Sequence, residues 1–204
     1  MIAPERFIAR SSDCELWLAA REDCITATMV RDAATPAGFA EVIARIENPQ
    51  PVVPNAYMDW GTLREGFIAL EVKDRFGIMP NEWLIAKDSG LDRWMACTPD
   101  GLSLDHTVIA EIKTSGKPLD SIPIRYRRQI QWQLHVTGAE RCLFAWELRL
   151  DGPNGYVADF DIHTQWVERD EAMIRDLVFV AEQLQQHLVY RSWDEREEME
   201  NGNG

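Results

Sequence analysis

The feature that most constrains this chain is an aspartate set between two chain-bending residues and followed, one turn later, by Glu-x-Lys inside an apolar run. The segment reads Ala96-Cys97-Thr98-Pro99-Asp100-Gly101-Leu102, and then Ile109-Ala110-Glu111-Ile112-Lys113. Side chains alternate faces along a strand, so Glu111 and Lys113 emerge on one face while Ile112 points into the core. Pro99 and Gly101 end the preceding strand near Asp100, which lets its carboxylate approach Glu111 from the neighbouring strand. Converging carboxylates repel unless a cation lies between them, and hard oxygen ligands suit Mg²⁺ or Mn²⁺. Pro-Asp-Gly alone is ordinary turn chemistry; its pairing with Glu-x-Lys makes the combination specific.

Around this hairpin the order is helices, a strand cluster, a helix, two strands and a long helix, which indicates an α/β or α+β domain with a central mixed sheet flanked by helices. Helices are expected over 15–21, 26–34 with Thr26 as N-cap, 39–47, 57–76 and 125–136. Strands are expected over 82–86, 93–98, 108–114, 141–150 and 156–163, the last two joined at Asp151-Gly152-Pro153-Asn154-Gly155. From 165 to 190, Trp166, Met173, Leu177, Val180, Ala181, Leu184 and Leu188 recur at helical spacing and read as core.

A length of 204 residues with 46% hydrophobic content suits one domain with a sizeable core. The expected division is a single domain over 1–192 and an acidic, disordered tail over 193–204, where Asp194 to Glu200 carries five acids and one base. No long apolar run and no signal-peptide pattern is present, so a cytoplasmic protein without membrane attachment is expected. Cys14, Cys24, Cys97 and Cys142 lack Cys-x-x-Cys spacing and read as buried small hydrophobes, and the four histidines lack zinc-ligand spacing. The net charge of −13 requires any nucleic-acid contact to use a local basic patch. Arg125-Tyr126-Arg127-Arg128-Gln129-Ile130-Gln131-Trp132-Gln133 is the best such patch, and Gln129 and Gln133, one turn apart, offer amides to a phosphate, a water or an acidic group.

On the 57–76 helix, a turn of about 100° per residue assigns Arg64, Glu71 and Arg75 to a solvated sector and Trp60, Leu63 and Phe67 to a buried one. Glu65 instead projects in line with Ala69, Val72 and Phe76, where an unpaired charge is costly, and reads as a third acid of the site.

Taken together, Glu65, Pro99-Asp100, Glu111-Ile112-Lys113 and Gln129 resemble the PD-(D/E)XK nuclease superfamily, and within it the lambda-type phage exonucleases, the YqaJ-like viral recombinase family. That family shows Trp-x-x-x-Arg followed by Ile-Thr-Ala-Ser; here Trp17 to Arg21 precedes Ile25-Thr26-Ala27-Thr28, with Thr28 in the serine position. Trp60-Gly61-x-x-x-Glu65 also matches, and the likeness spans roughly residues 15 to 147.

The resemblance implies that Asp100 and Glu111 are metal ligands, with the Ile112 carbonyl as an extra ligand and Glu65 holding a second ion, giving two Mg²⁺ or Mn²⁺ ions per site. It implies that Lys113 orients and activates the attacking water, that Gln129 supports the site, and that Arg21 and Thr28 bind the 5′ phosphate of a DNA end. The implied activity is 5′-to-3′ digestion of linear duplex DNA, leaving 3′ single strands for an annealing protein in phage-type recombination. The implied assembly is a ring-shaped homotrimer. Two other readings stay open: an endonuclease on the same core, and a non-catalytic scaffold that binds DNA ends.

Overall fold

Ile109, Ala110 and Ile112 are all buried, so the strand that carries them is covered on both faces, and the rest of the fold is arranged around it. The computed structural model describes residues 1–50, 53, 55–153 and 155–201, with side chains described as far as 189. In chain order the elements are β1 (Phe7–Arg10), α1 (Cys14–Glu22), β2 (Ile25–Thr26), α2 (Ala27–Ala33), α3 (Pro36–Glu47), α4 (Ala56–Phe76), β3 (Ile78–Pro80), β4 (Trp83–Ala86), β5 (Met95–Cys97), β6 (Gly101–Ser103), β7 (Val108–Ser115), α5 (Ile124–Thr137), β8 (Arg141–Gly152), β9 (Gly155–Glu168) and α6 (Glu171–Asn201).

Two mixed sheets result. One has the order β3-β6-β7-β8-β9, the other β1-β4-β5-β2. β7 and β8 run parallel and are joined by α5, the helical crossover such a pair requires. The two faces of β7 are divided between two helices. Ala110 and Ile112 pack on Ile68, Ala69 and Val72 of α4, while Ile109 packs with Ile130 and Leu134 of α5. Beyond α5 a further layer packs Val30 of α2, Val42 of α3 and Leu177, Ala181 and Leu184 of α6 against Trp132 and Val136. Glu111 and Lys113 therefore start from the α5 face of the sheet.

α5 is fixed at its C-terminal end by three cations. Carbonyl oxygens of its last turn accept from Arg169 Nη1 (Leu134, 2.7 Å), Lys87 Nζ (His135, 2.8 Å) and Arg6 Nη2 (Val136, 2.5 Å), a cap that also complements the helix dipole. Gly138, at φ 77°, ends the helix in the left-handed conformation.

Several elements differ from the sequence reading. β1, β3 and β6 are short strands whose few residues carry too little periodicity to be read, and α3 starts at Pro36 because Thr35 caps Gly38 N. Thr26 stands at the N-cap of α2, yet its hydroxyl makes no capping bond. β9 extends through Trp166, which is thus a sheet residue and not part of the α6 stripe. The basic helix α5 is no surface helix: Gln129, Gln131 and Gln133 are all buried, and only its first turn presents Arg125 and Arg127 to solvent.

The helical wheel of α4 is the clearest correction. Arg64 is buried, whereas Leu63 and Phe67 are exposed, because an acid on the sheet supplies the partner that makes a buried guanidinium tolerable. The backbone of α6 is helical as far as Asn201; the expected tail concerns side chains outside the described residues, as does Asn154 of the expected turn. Among the described residues no helix is long and apolar enough to cross a membrane.

Trp132 is fully buried and its indole N–H donates to the Ala96 carbonyl at 3.1 Å, so it links α5 to β5 through both packing and a polar bond. Trp132→Ala is expected to cost about 3–5 kcal/mol in urea unfolding. A loss below about 1 kcal/mol would show that this layer is not part of the cooperative core.

Candidate active site

The link between β5 and β6 is where Asp100 stands. Its backbone N–H donates to the Ala110 carbonyl at 3.0 Å, which keeps the link in register with β7. Gly101 suits this close approach: a Cβ at that position would lie 3.0 Å from both Ala110 Cβ and Ile78 Cγ2, so those side chains would have to give way. Asn81 secures the other side, donating to the Pro99 carbonyl at 2.8 Å. The result is a carboxylate turned onto β7, where Asp100 Oδ2 accepts from Ile112 N at 2.6 Å.

Glu111 is fully buried. A buried carboxylate is tolerable only when donors replace its water, and three do so. Gln129 Nε2 donates to Oε1 at 2.5 Å, Gln133 Nε2 donates to Oε2 at 2.7 Å, and the Lys113 ammonium bonds Oε1 as well. Lys113 Nζ also donates to the Ile112 carbonyl at 2.9 Å. Gln129 is oriented in turn by Arg31, whose Nη1 donates to the amide oxygen at 3.0 Å. With its oxygen so engaged, the Gln129 amide directs its N–H₂ at Glu111.

Glu65 comes from α4 and reaches the same group. Its carboxyl comes within electrostatic reach of Asp100, Glu111 and Lys113. Burial is the largest cause raising the Asp100 pKa well above the ordinary range, followed by Glu111; Lys113 opposes them. For Glu65, loss of water contacts also raises the pKa most, with Lys113 opposing. Burial would lower the Lys113 amine, yet Glu111, Asp100 and Glu65 around it outweigh that and raise it. The four side chains named from the sequence, at 65, 100, 111 and 113, are thus one electrostatic unit.

One cavity opens on this unit and a second on the amides that hold Glu111. One, of about 250 Å³, is lined by Tyr57, Met58, Gly61, Thr62, Glu65, Lys113 and Thr114. The other, of about 70 Å³, is lined by Arg21, Thr26, Thr28, Thr98, Gln129 and Gln133. The sequence-derived anion pair Arg21 and Thr28 therefore shares a cavity with the amides that hold Glu111. Arg21 stacks over the Trp17 ring at 4.2 Å, and burial lowers its pKa. The Thr26 hydroxyl and Gln133 Oε1 in this cavity are buried without a protein partner.

Asp100, Glu111, Glu65 and the Ile112 carbonyl are hard oxygen donors of the type Mg²⁺ and Mn²⁺ take. Among the described residues no three His, Cys, Asp or Glu side chains form a ready-made coordination shell. Lys113 sits on Glu111 and on the Ile112 carbonyl, two of the donors a cation would share. In chemistry the oxygen donors suit a divalent cation, and the Lys113 ammonium lies among them.

Gln133 was expected beside Gln129 as an amide donor to an acidic group but was given no place in the site, and Arg31 was not among the sequence-derived site residues. The spacing of Gln133 one turn after Gln129 was a usable signal; nothing around Arg31 was. Arg64, next to Glu65, is likewise placed only by its long-range bond to Glu147.

The profile of the YqaJ-like viral recombinase domain matches residues 16–140. A search of curated proteins found no match. Among solved structures, the fold resembles the crystal structure of an alkaline exonuclease, LHK-Exo, from Laribacter hongkongensis, at 27% identity and TM-score 0.65, covering 91% of this chain and 98% of that one. It also resembles a phage-related exonuclease from Haemophilus somnus in fold, at 11% identity and TM-score 0.62, covering 85% and 96%.

Because folding raises the Asp100 pKa, this group adds stability below the ordinary aspartate range, near pH 4, and loses it as pH climbs through the folded value. Asp100→Asn in EDTA at pH 8 is therefore expected to melt higher than the parent, by about 2–4 °C per kcal/mol of repulsion removed, with the gap closing toward pH 4. A lower melting temperature at pH 8 by circular dichroism would contradict the account of mutual repulsion.

Proposed function

Since the chain belongs to the YqaJ-like viral recombinase family, we propose that it is a Mg²⁺-dependent exonuclease that digests linear duplex DNA from 5′ to 3′. Its product would be a 3′ single strand for an annealing protein in phage-type recombination. The reading extends to a homotrimeric ring acting in the host cytoplasm. The observation that carries the enzymatic part is the buried Glu111, held by Gln129, Gln133 and Lys113 beside Asp100 and Glu65. Such a cluster of acids is costly to the fold and is understandable where cations and a phosphodiester are handled.

Asp100, Glu111 and the Ile112 carbonyl would hold one ion, and Glu65 would hold or support the second. When bound, the pair would supply hydroxide at neutral pH and neutralise charge on both the attacking and leaving oxygens of an in-line displacement. Lys113, kept protonated by the acids around it, would orient the attacking water and offset charge developing on the phosphate. Gln129 and Gln133 would keep the Glu111 oxygens fixed, so that no reorganisation accompanies the reaction.

Arg21 and Thr28 would hold the 5′ phosphate. Their cavity is small and rich in donors, and it borders the same amides, which supports cleavage at a set distance from the terminus. The cavity also lies by the start of α2, where free backbone N–H groups favour an anion. This local cation, with Arg125 and Arg127 at the exposed start of α5, supports contact with DNA by a protein whose overall charge is negative.

A time course on linear duplex labelled separately at each 5′ and 3′ end should show Mg²⁺-dependent loss of the 5′ label first, with covalently closed circles left intact. Cutting of the circle would favour an endonuclease on this core. Lys113→Ala is expected to lower kcat by on the order of 10²–10³ or more while the fold is kept; unchanged digestion would remove its role. Arg21→Ala should erase most of the preference for 5′-phosphorylated over 5′-hydroxyl ends in paired digests. If the parent degrades both ends alike, the phosphate assignment is wrong.

A further inference from the structure

Arg64 and Glu147 form a buried, two-pronged ion pair between α4 and β8. Arg64 Nε donates to Glu147 Oε2 at 2.8 Å and Nη2 donates to Oε1 at 2.6 Å; the residues are 9% and 1% exposed. The guanidinium lies beneath two aromatic rings, 5.0 Å from the centre of Phe67 and 5.2 Å from that of Phe160. Phe160 is itself held at φ 62°, a left-handed conformation unfavourable for an aromatic residue, and β8 is irregular between Glu147 and Arg149. A buried pair of this kind is a weak source of net stability, because desolvation offsets most of the attraction. Its geometry, by contrast, is tightly specified, since two parallel bonds from Nε and Nη2 hold the guanidinium and the carboxylate close to one plane.

What that geometry fixes is the part of α4 that lacks a core. The buried residues of α4 are Arg64, Ile68, Ala69 and Val72. Every apolar one lies after Glu65, toward the C-terminal end. Before Glu65 the helix is held by Arg64, by Trp60 edge-on to Tyr156, and by Tyr57 beneath the Arg149 guanidinium at 4.1 Å. Glu65 follows Arg64 directly, and Glu147 is the register partner of Thr114, one step beyond the Lys113–Trp146 pair. The ion pair thus ties the helix residue adjoining Glu65 to the strand next to the one that carries Glu111 and Lys113.

We propose that Arg64, acting through Glu147, is a positioning residue for Glu65. The pair sets the rotation of α4 that brings the Glu65 carboxylate to Asp100, and so sets the affinity of the ion that Glu65 helps to hold. This inference rests on the two-ion reading above. Neither Arg64 nor Glu147 touches the reacting groups, and the effect passes through Glu65 alone.

The test measures Mn²⁺ binding to the full-length, DNA-free protein by calorimetry, together with the Mg²⁺ dependence of digestion and the melting temperature. Arg64→Lys keeps the charge and loses the fork; Glu147→Gln keeps the shape and loses the charge, and serves if the first variant folds poorly. Each is expected to weaken the weaker Mn²⁺ site by about 10- to 100-fold and leave the tighter site unchanged. The Mg²⁺ needed for half-maximal rate should rise in step, with kcat at saturating Mg²⁺ within a few-fold of the parent.

In a Glu65→Ala background the same substitutions should have no further effect on Mn²⁺ binding, the signature of one residue acting through another. Parent-level Mn²⁺ affinity in both variants, with only a changed melting temperature, would overturn the proposal while leaving the two-ion reading intact. So would an effect that persists without Glu65. A parent that binds no Mn²⁺ would overturn both.

Discussion

The rest of the site depends on satisfying one carboxylate without water. Glu111 has no solvent contact, and its two oxygens are satisfied by two amides and an ammonium. Removing one of these donors leaves a buried oxygen short of a partner, which costs more than losing an exposed hydrogen bond. The position of α5 follows from this need. Gln129 and Gln133 meet Glu111 only if the helix lies across β7 at one rotation, and a helix carrying three buried glutamines in a row of alternate positions cannot slide without orphaning them. The cap of Arg6, Lys87 and Arg169 at its C-terminal carbonyls, and Trp132 bonded to Ala96 on its far side, hold that rotation from outside the site.

The same reasoning explains why polar contacts do so much in this fold. Glu65 sits on a helix whose apolar anchor, Ile68 to Val72, begins one turn too late to control it. A hydrophobic anchor at Arg64 could bury comparable area, yet apolar contacts are non-directional and would leave the helix free to settle over a range of angles. Binding divalent ions demands oxygen placement to within a few tenths of an ångström. Directional contacts on both helices, glutamines on α5 and an arginine fork on α4, supply that where core packing does not.

How much of this was legible in the sequence follows from the range of the interactions. Asp100, Glu111 and Lys113 were readable because the hairpin that joins them is local: strand period and turn chemistry are enough to bring them together. Glu65 was readable because its helix is long and periodic, and the wheel that placed it beside Ala69 and Val72 was right about that sector. The same wheel exchanged Arg64 with Leu63 and Phe67, since it ranks residues by hydropathy and Glu147, 83 residues away, is invisible to it. Strands of two to four residues such as β2, β3 and β6 owe their existence to the neighbours they pair with, so no local pattern announces them. Arg31 belongs to the same class, a helix residue whose role is given by an amide 98 positions along the chain.

The acidity of the chain and the acidity of the site are separate matters, although the net charge of −13 suggests one cause. Exposed acids are screened within about 8 Å at physiological ionic strength and cost the fold little. Glu111 is buried and is not screened in this way, and the Lys113 ammonium on it offsets its repulsion with Asp100 and Glu65. Lys113 serves both sides of that balance: its ammonium bonds the buried Glu111 carboxylate and the Ile112 carbonyl, and the same side chain lines the cavity beside Glu65 and Thr114.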